Sequence, residues 1–447
     1  MKYEKWSLGY WMLKQYVRFA DWTIHNKTIL IGVDKIPKNK PLLFAPNHQN
    51  ALSDPMAILL HTNFQPVWLA RADIFKNKTA AAILAFLKIL PVYRLRDGKD
   101  ELAKNDETFA HSIKVLKNNA VLALFPEATH TGKRQMISHK KAVPRIVFLA
   151  EEQTDKNLDI QIMPIGIYYS NYWKFNSNLI VVFGDPIPVN DFLEEYKENQ
   201  GAATLSMRNK IFEGIEPLVF NINSKKHYDD FEQIVEIYGR HFLARQNKKN
   251  TIVNLFESNK KLAKILDKLE EEKPETVELL IEKVKKYAGL VKKYKLRSWL
   301  VENHKNNWLK IVLNKLILLI GLPIFIYGFV LNTIPFFAID TINRKKIKDQ
   351  AFWSTFSLAL GIFIFPIIYL LELFALSSFI PGVWLKLAFL VSLPFAGKLA
   401  FKWYILFRKT VGRSRIFFMK LFSKSKYENL ISTQKSVFNE LDKFIRV

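Results

Sequence analysis

The stretch Pro41-Leu42-Leu43-Phe44-Ala45-Pro46-Asn47-His48-Gln49-Asn50-Ala51-Leu52-Ser53-Asp54-Pro55 decides how the first half of the chain is read. Its apolar opening, residues 41–45, is short enough to be a buried strand. The apolar run that follows, residues 56–60, reads as the first turns of a helix. Asp54 ahead of Pro55 predicts the helix start, with a side-chain acceptor at the N-cap and a fixed φ at the first helical position. A histidine therefore falls on a strand-to-helix turn with a carboxylate close behind it. That is where a general base and its orienting acid would be put. Six positions is not the spacing of neighbours on a helix, so the turn itself must fold His48 and Asp54 together. Taken alone, the pair reads equally as a solvated loop histidine and an ordinary capping aspartate.

Outward from this stretch, short apolar runs alternate with helical patterns. Strands are expected at residues 28–33, 42–45, 67–70, 121–125, 160–168 and 179–183, and helices at 55–61, 74–89, 100–118 and 139–152. Alternation of this kind predicts an α/β domain, a largely parallel sheet flanked by helices, over residues 28–190. Loops at the carboxyl ends of such strands are the usual place for a site.

The flanks differ in kind. Residues 1–27 carry Trp6, Leu8, Tyr10, Trp11, Leu13, Tyr16, Val17, Phe19 and Trp22, interleaved with Lys14 and Arg18. These spacings predict an amphipathic helix suited to a membrane interface. No uninterrupted apolar core or small-residue cleavage site stands in the first 25 residues, so no signal peptide is expected. Residues 191–306 read as charged amphipathic helices, solvated or turned toward anionic lipid head groups. Residues 307–447 form a C-terminal membrane region with a basic tail. Its segments 316–339, 352–376 and 383–406 each exceed the roughly 20 residues that a bilayer core needs. The first is interrupted at Gly321-Leu322-Pro323 and contains Pro335, which predicts a re-entrant or in-plane segment over about 308–339, with the last two segments crossing. All basic clusters would then face the cytoplasm.

The totals agree with that division. The chain has 447 residues, with 66 Lys and Arg against 41 Asp and Glu, a net charge of +25. Such a charge favours anionic partners: nucleic acid, anionic lipid or phosphorylated substrates. Nucleic acid is not expected, since the charge lies beside bilayer-length segments and no nucleic-acid module is visible. There is no cysteine, which excludes disulfides, thiolate catalysis and Cys-ligated metals.

Three stretches of the α/β region carry chemistry together. His48 and Asp54 supply a base and its partner. Leu90-Pro91-Val92-Tyr93-Arg94-Leu95-Arg96 ends in guanidinium groups, which suit a phosphate dianion. Leu124-Phe125-Pro126-Glu127-Ala128-Thr129-His130-Thr131-Gly132 follows an apolar strand and places a carboxylate, two hydroxyls and backbone N–H groups in one loop. The carboxylate can hold a substrate hydroxyl, and the free N–H groups an anion or oxyanion. A base, a phosphate clamp and a hydroxyl-holding carboxylate suggest a phosphorylated alcohol attacking an activated carbonyl, with Asp54 steadying the imidazole as in a serine-protease triad. His130 reads as a solvated loop histidine, with a second titrating group as the sharper alternative.

These stretches resemble the phospholipid/glycerol acyltransferases. Residues 47–54 look like the first motif of that family, Pro91-Val92-Tyr93-Arg94 like the second, and Phe125-Pro126-Glu127-Ala128-Thr129 like the third. Met163-Pro164-Ile165 is similar to the fourth motif, and Phe183-Gly184-Asp185-Pro186-Ile187 to the strand end that closes the domain. The resemblance covers roughly residues 28–190. It implies His48 and Asp54 as catalytic residues, and Arg94, Glu127, Ala128 and Thr129 as the acceptor site; Arg96 and Lys133, outside the matching motifs, are candidates for further phosphate contacts. It implies an acyl thioester donor, coenzyme A or carrier protein, as co-substrate, with no other cofactor and no metal. The acceptor would be glycerol-3-phosphate, dihydroxyacetone phosphate or lysophosphatidate. Five residues separate His48 from Asp54 where four are commonest, which is similar to a branch acting on glycerol-3-phosphate or dihydroxyacetone phosphate. Ala128 stands where the third motif usually has Gly, and His130 where Arg commonly follows. The expected function is a membrane-bound O-acyltransferase with its domain on the cytoplasmic face, anionic membrane lipids among its partners. The alternatives are a different lyso-lipid or amine acceptor, or a catalytically silent binder of anionic lipid.

Overall fold

The computed structural model describes residues 2–93, 103–154, 157–302 and 308–445. It divides into two compact units, Met1–Val219 with Asp349–Leu358, and Phe220–Lys348 with Ala359–Val447.

The first unit opens with α1 (Leu8–Ile24) and continues through β1 (Lys27–Ile31), β2 (Leu42–Pro46), α2 (Ser53–Leu59), β3 (Val67–Arg71), α3 (Lys78–Phe86), β4 (Ile89–Val92) and α4 (Asn105–Lys117). It goes on with β5 (Val121–Ala123), α5 (Ala142–Glu152), β6 (Gln161–Tyr169), β7 (Asn178–Phe183), β8 (Ile187–Pro188), α6 (Leu193–Glu198) and α7 (Gln200–Ile215). Among the described residues these make one mixed sheet in the order β1-β7-β6-β2-β5-β3-β4, with β8 paired to β6. β6, β2, β5, β3 and β4 are parallel, and β7 runs against β6.

β2 shows why the sheet forms. Successive side chains leave a strand on opposite faces. Leu43 and Ala45 enter one core, with residues of α4, α5 and α7, while Leu42 and Phe44 enter the other, with Ala57 and Ile58 of α2. Both faces are covered, so an unbroken apolar run is what the strand needs. Burying a side chain such as Leu43 or Phe44 stabilises the domain by about 1.5–3 kcal/mol.

Four expectations change. The helix expected over 74–89 is the shorter α3, followed by β4, where Pro91 pairs in register with Ala70. β4 ends the strand order, and an edge strand tolerates proline's missing N–H. The domain does not end at 190: α7 buries Met207, Ile211 and Ile215 in the same core. Asp54 is not the N-cap, because α2 begins at Ser53 and Leu52 holds the cap position. α1 turns inside out relative to simple amphipathicity. Lys14 is buried and donates from Nζ to the carbonyls of Thr62 and Phe64 at 2.6 and 2.8 Å, and Asp21 is buried against His25 and His61. Trp6, Leu8, Trp11, Met12, Tyr16, Phe19 and Trp22 face outward.

The second unit holds α8 (Tyr228–Arg245), α9 (Ile252–Glu272), α10 (Pro274–Lys293), α11 (Ser298–Glu302), α12 (Trp308–Ile320) and α13 (Leu322–Lys346). Residues 349–358, which belong to the first unit, carry a 3-10 turn, Gln350–Phe352, and the start of α14 (Trp353–Leu376); the rest of α14, α15 (Val383–Phe422) and α16 (Lys424–Phe444) complete the second unit. Asp442 of α16 accepts from Tyr238 and Arg245 of α8, tying the charged helices together. Among the described residues, α13, α14 and α15 are long and apolar enough to cross a membrane. Phe374 and Trp384 are 81% and 80% exposed, which suits lipid. The segment expected over 316–339 is two helices meeting at Gly321, and α13 at 25 residues is about 37 Å long by itself. α15 does not stop at 406. Its 40 residues extend about 60 Å, twice a bilayer core of about 30 Å, and residues 408–422 carry the basic groups expected of a tail.

Candidate active site

Parallel strands bring their following loops to one edge. His48 follows β2, the 124–132 loop follows β5, Arg71 ends β3 and Tyr93 follows β4, all at the same carboxyl edge of the sheet. Asn47 fixes the end of β2. Its side chain is fully buried, accepting from the Ile167 N–H at 2.6 Å and donating to the Ile167 carbonyl at 3.3 Å.

The turn between His48 and Asp54 is held by one carboxylate oxygen. Asp54 Oδ2 accepts from Gln49 N at 2.8 Å and Asn50 N at 2.7 Å, and lies 2.9 Å from His48 Nδ1. Ala51 takes a left-handed φ of 42°, which curls the chain so that Ser53 N reaches the Asn50 carbonyl at 2.9 Å. Asp54 thus points backward from the first turn of α2, and its side chain is only 1% exposed. An ionised carboxylate only accepts, so the shared proton sits on Nδ1 and the lone pair on Nε2. The His48 ring stacks on Phe125 with centroids 4.0 Å apart and planes 17° apart, and Phe125 stacks in turn on Trp68 at 5.3 Å. The imidazole is therefore fixed by one hydrogen bond and one aromatic face, with its side chain 15% exposed.

Glu127, expected to hold a substrate hydroxyl, is placed otherwise. It is fully buried, and Oε1 accepts the backbone N–H of His48 at 2.9 Å. Burial pushes its carboxyl up to about 8, with the Asp54 charge adding and hydrogen bonds from the His48 and Ile137 backbone opposing. A carboxyl of that kind holds the chain at His48 and faces no solvent. Ala128 and Thr129 are exposed at the loop tip, and Ala128 has φ 58°, the left-handed conformation that a glycine takes without strain. His130 is half-buried, its ring 5.3 Å from that of His48, not a solvated loop histidine. Burial and then the neighbouring His48 lower its pKa, with Arg71 acting the same way and Asp54 and Asp349 opposing. Lys133 is exposed beside the loop, where its N–H donates to Thr131 Oγ1 at 3.2 Å. Arg94 and Arg96 lie outside the described residues.

Several supporting residues carried no sequence signal of their role. Gly132 N donates to the Gln49 carbonyl at 3.1 Å, joining the 124–132 loop to the histidine turn. Tyr172 donates to Gln49 Oε1. Arg134 is buried and donates to the carbonyls of Tyr169 and Ser170 at 2.9 and 3.3 Å, stacked between Tyr168 and Tyr172. Burial and the nearby Asp54 carboxylate hold the Tyr169 phenol well above its ordinary pKa, so it stays neutral beside the pair. Among the described residues, no group of three or more His, Asp or Glu side chains is placed to hold a metal ion.

The first unit is thus an α/β domain, a mixed, mostly parallel sheet with a His–Asp pair, an aromatic bed and a second loop at its carboxyl edge. Residues 27–168 match the family model described as Acyltransferase, about a third of the chain. It is 22% identical over 223 residues to Glycerol-3-phosphate O-acyltransferase 1 of Saccharomyces cerevisiae, covering 49% of this chain and 28% of that protein. The match therefore spans little more than a quarter of that relative's length. A solved structure, the 1-acyl-sn-glycerophosphate (LPA) acyltransferase PlsC from Thermotoga maritima, is 19% identical with a TM-score of 0.32, covering 45% of this chain and 79% of that one.

Proposed function

We propose that this protein is a membrane-bound O-acyltransferase that moves a fatty acyl group from an acyl thioester to glycerol-3-phosphate or its 1-acyl derivative. The observation that carries the reading is the 2.9 Å contact between His48 Nδ1 and Asp54 Oδ2, inside the part of the chain that matches the acyltransferase family. Nε2 of His48 takes the acceptor's hydroxyl proton as its oxygen attacks the thioester carbonyl. The C–S bond then breaks, and the same proton goes to the departing thiolate. Asp54 keeps the imidazole in the right tautomer and stabilises the imidazolium. The substrate alcohol is itself the nucleophile, so no covalent acyl-enzyme is required.

Arg94 is the first choice for the acceptor phosphate, assisted by Arg96 and Lys133. Arg71, at the end of β3 on the same edge, joins them as a cation the sequence did not single out. Thr129 and the backbone at Ala128 offer polar contacts at the exposed loop tip, while Glu127 acts by holding the His48 backbone. The name of the yeast relative supports glycerol-3-phosphate as the first acceptor to try, with lysophosphatidate second. The outward aromatic face of α1, the apolar α13, α14 and α15 and the +25 charge support a site at an anionic membrane surface, with the domain in the cytoplasm. The chain has no cysteine, so a single cysteine introduced at position 346 can report the side. Labelling from the exterior would contradict the cytoplasmic placement.

The activity is tested by thioester consumption in detergent-purified protein offered glycerol-3-phosphate and lysophosphatidate separately, with His48→Ala alongside. Acceptor-dependent release that requires His48 supports the reading. Equal release with and without acceptor, or with and without His48, removes it.

A further inference from the structure

Residues 349–358 stand far beyond residue 168, where the family match ends, yet they belong to the first compact unit. They touch both halves of the site. Ser354 Oγ donates to Asn50 Oδ1 at 3.1 Å and lies 3.0 Å from Ser53 Oγ. The Phe352 ring stands edge-on to His130, with centroids 5.0 Å apart and planes at 88°, and His130 packs against His48. Thr355, next to Ser354, is buried.

The position of the Ser354 hydroxyl matters. Asn50 donates its N–H to Asp54 Oδ2, and Ser53 is the first residue of α2, directly before Asp54. Ser354 therefore grips both ends of the 50–53 curl that sets Asp54 against His48. Within the curl Ala51 takes a left-handed φ and Leu52 is exposed, so Ser354 adds a side-chain hold to the backbone bonds that close it. We propose that segment 349–358 completes the acyltransferase site, with Ser354 as a positioning residue for the His48–Asp54 pair. The inference rests on the acyltransferase reading and adds to it: the family domain alone lacks part of its own site, and the missing part comes from the start of a membrane-length helix.

Two measurements on the full chain test this. In the first, Ser354→Ala lowers kcat by about tenfold, as expected for losing hydrogen bonds that fix a catalytic geometry, while KM for donor and acceptor holds. Ser354→Thr, which keeps the hydroxyl, restores kcat. A role in stability alone would lower the melting temperature and leave the kcat of the folded protein unchanged. In the second, the double variant Ser53→Cys/Ser354→Cys is oxidised. It forms one intramolecular disulfide, detected by mass spectrometry, because hydroxyl oxygens 3.0 Å apart place these side chains within bridging reach. Wild-type kcat in Ser354→Ala overturns the positioning role. Two cysteines that react with maleimide but never bridge overturn the placement of the segment, whatever the activity. A wild type inert toward every acceptor overturns the acyltransferase reading and the positioning role with it, while the disulfide still decides whether the segment lies at the turn.

Discussion

His48 Nδ1 lies 2.9 Å from Asp54 Oδ2, and the same oxygen takes the N–H groups of Gln49 and Asn50 at 2.8 and 2.7 Å. One atom thus orients the imidazole and closes the turn that carries it. The two duties separate on mutation. Asp54→Asn keeps an oxygen for the backbone but loses the anionic acceptor for Nδ1–H, so the fold persists while kcat falls by about 10³–10⁴, as for the equivalent change in a serine-protease triad. Asp54→Ala also frees the turn and lowers the melting temperature. Asp54→Asn with near-wild-type kcat would remove Asp54 from the catalytic pair.

Glu127 predicts a distinct pH signature. Its carboxyl, at about 8 in the fold against 4.5 when unfolded, keeps a proton that the unfolded chain releases. Its contribution to stability is full below pH 4.5 and is lost as pH rises from there through 8. Glu127→Gln mimics the neutral carboxyl, still offers an oxygen to His48 N–H, and keeps kcat at pH 7 within a few-fold. The part of the stability–pH slope between 4.5 and 8 that belongs to Glu127 disappears in denaturant titrations of this variant. An unchanged slope would show that Glu127 does not bind that proton.

Ala128 costs stability where it stands. A left-handed residue bearing a Cβ is strained by about 1–2 kcal/mol, while glycine's greater freedom in the unfolded chain offsets about 0.4–1 kcal/mol. Strain is the larger effect, so Ala128→Gly stabilises the domain, raising its melting temperature by a few degrees. A lower melting temperature would contradict the strained conformation.

His139 makes the domain sensitive to acid. It is buried, neither ring nitrogen has a hydrogen-bond partner among the described residues, and burial holds it down to about 4, with the Arg208 charge acting in the same direction. The unfolded histidine, near 6.5, binds its proton first, so stability is lost as pH falls from about 6.5 to 4, by about 3 kcal/mol in all. His139→Phe keeps an aromatic ring against Phe212 and flattens this loss. The same acid slope in the variant would assign it to other groups.

How much of this was legible in the sequence follows from which interactions are local. Residues 42–45 read as a strand because both faces of β2 are buried, and the spacing of His48 and Asp54 required a turn that folds them together, as the Asp54 oxygen does. β4 was missed because Pro91 signals a break, and only its place at the sheet edge makes it admissible. The pattern of α1 showed two faces but not which one the domain would cover; carbonyls at Thr62 and Phe64, far along the chain, drew Lys14 inward. Glu127 read as a ligand-facing carboxylate since nothing local shows that its partner is the His48 backbone. Ser354 at the histidine turn joins positions three hundred residues apart, beyond any periodicity.

The most direct test of the account is the acyl-transfer rate of the full-length protein in lipid nanodiscs, with glycerol-3-phosphate as acceptor and an acyl thioester as donor, for wild type and His48→Ala side by side. The account predicts acceptor-dependent release of free thiol by wild type, and a loss of at least about 10³-fold in the folded His48→Ala variant. Equal rates in the two proteins would contradict the assignment of His48 as the base.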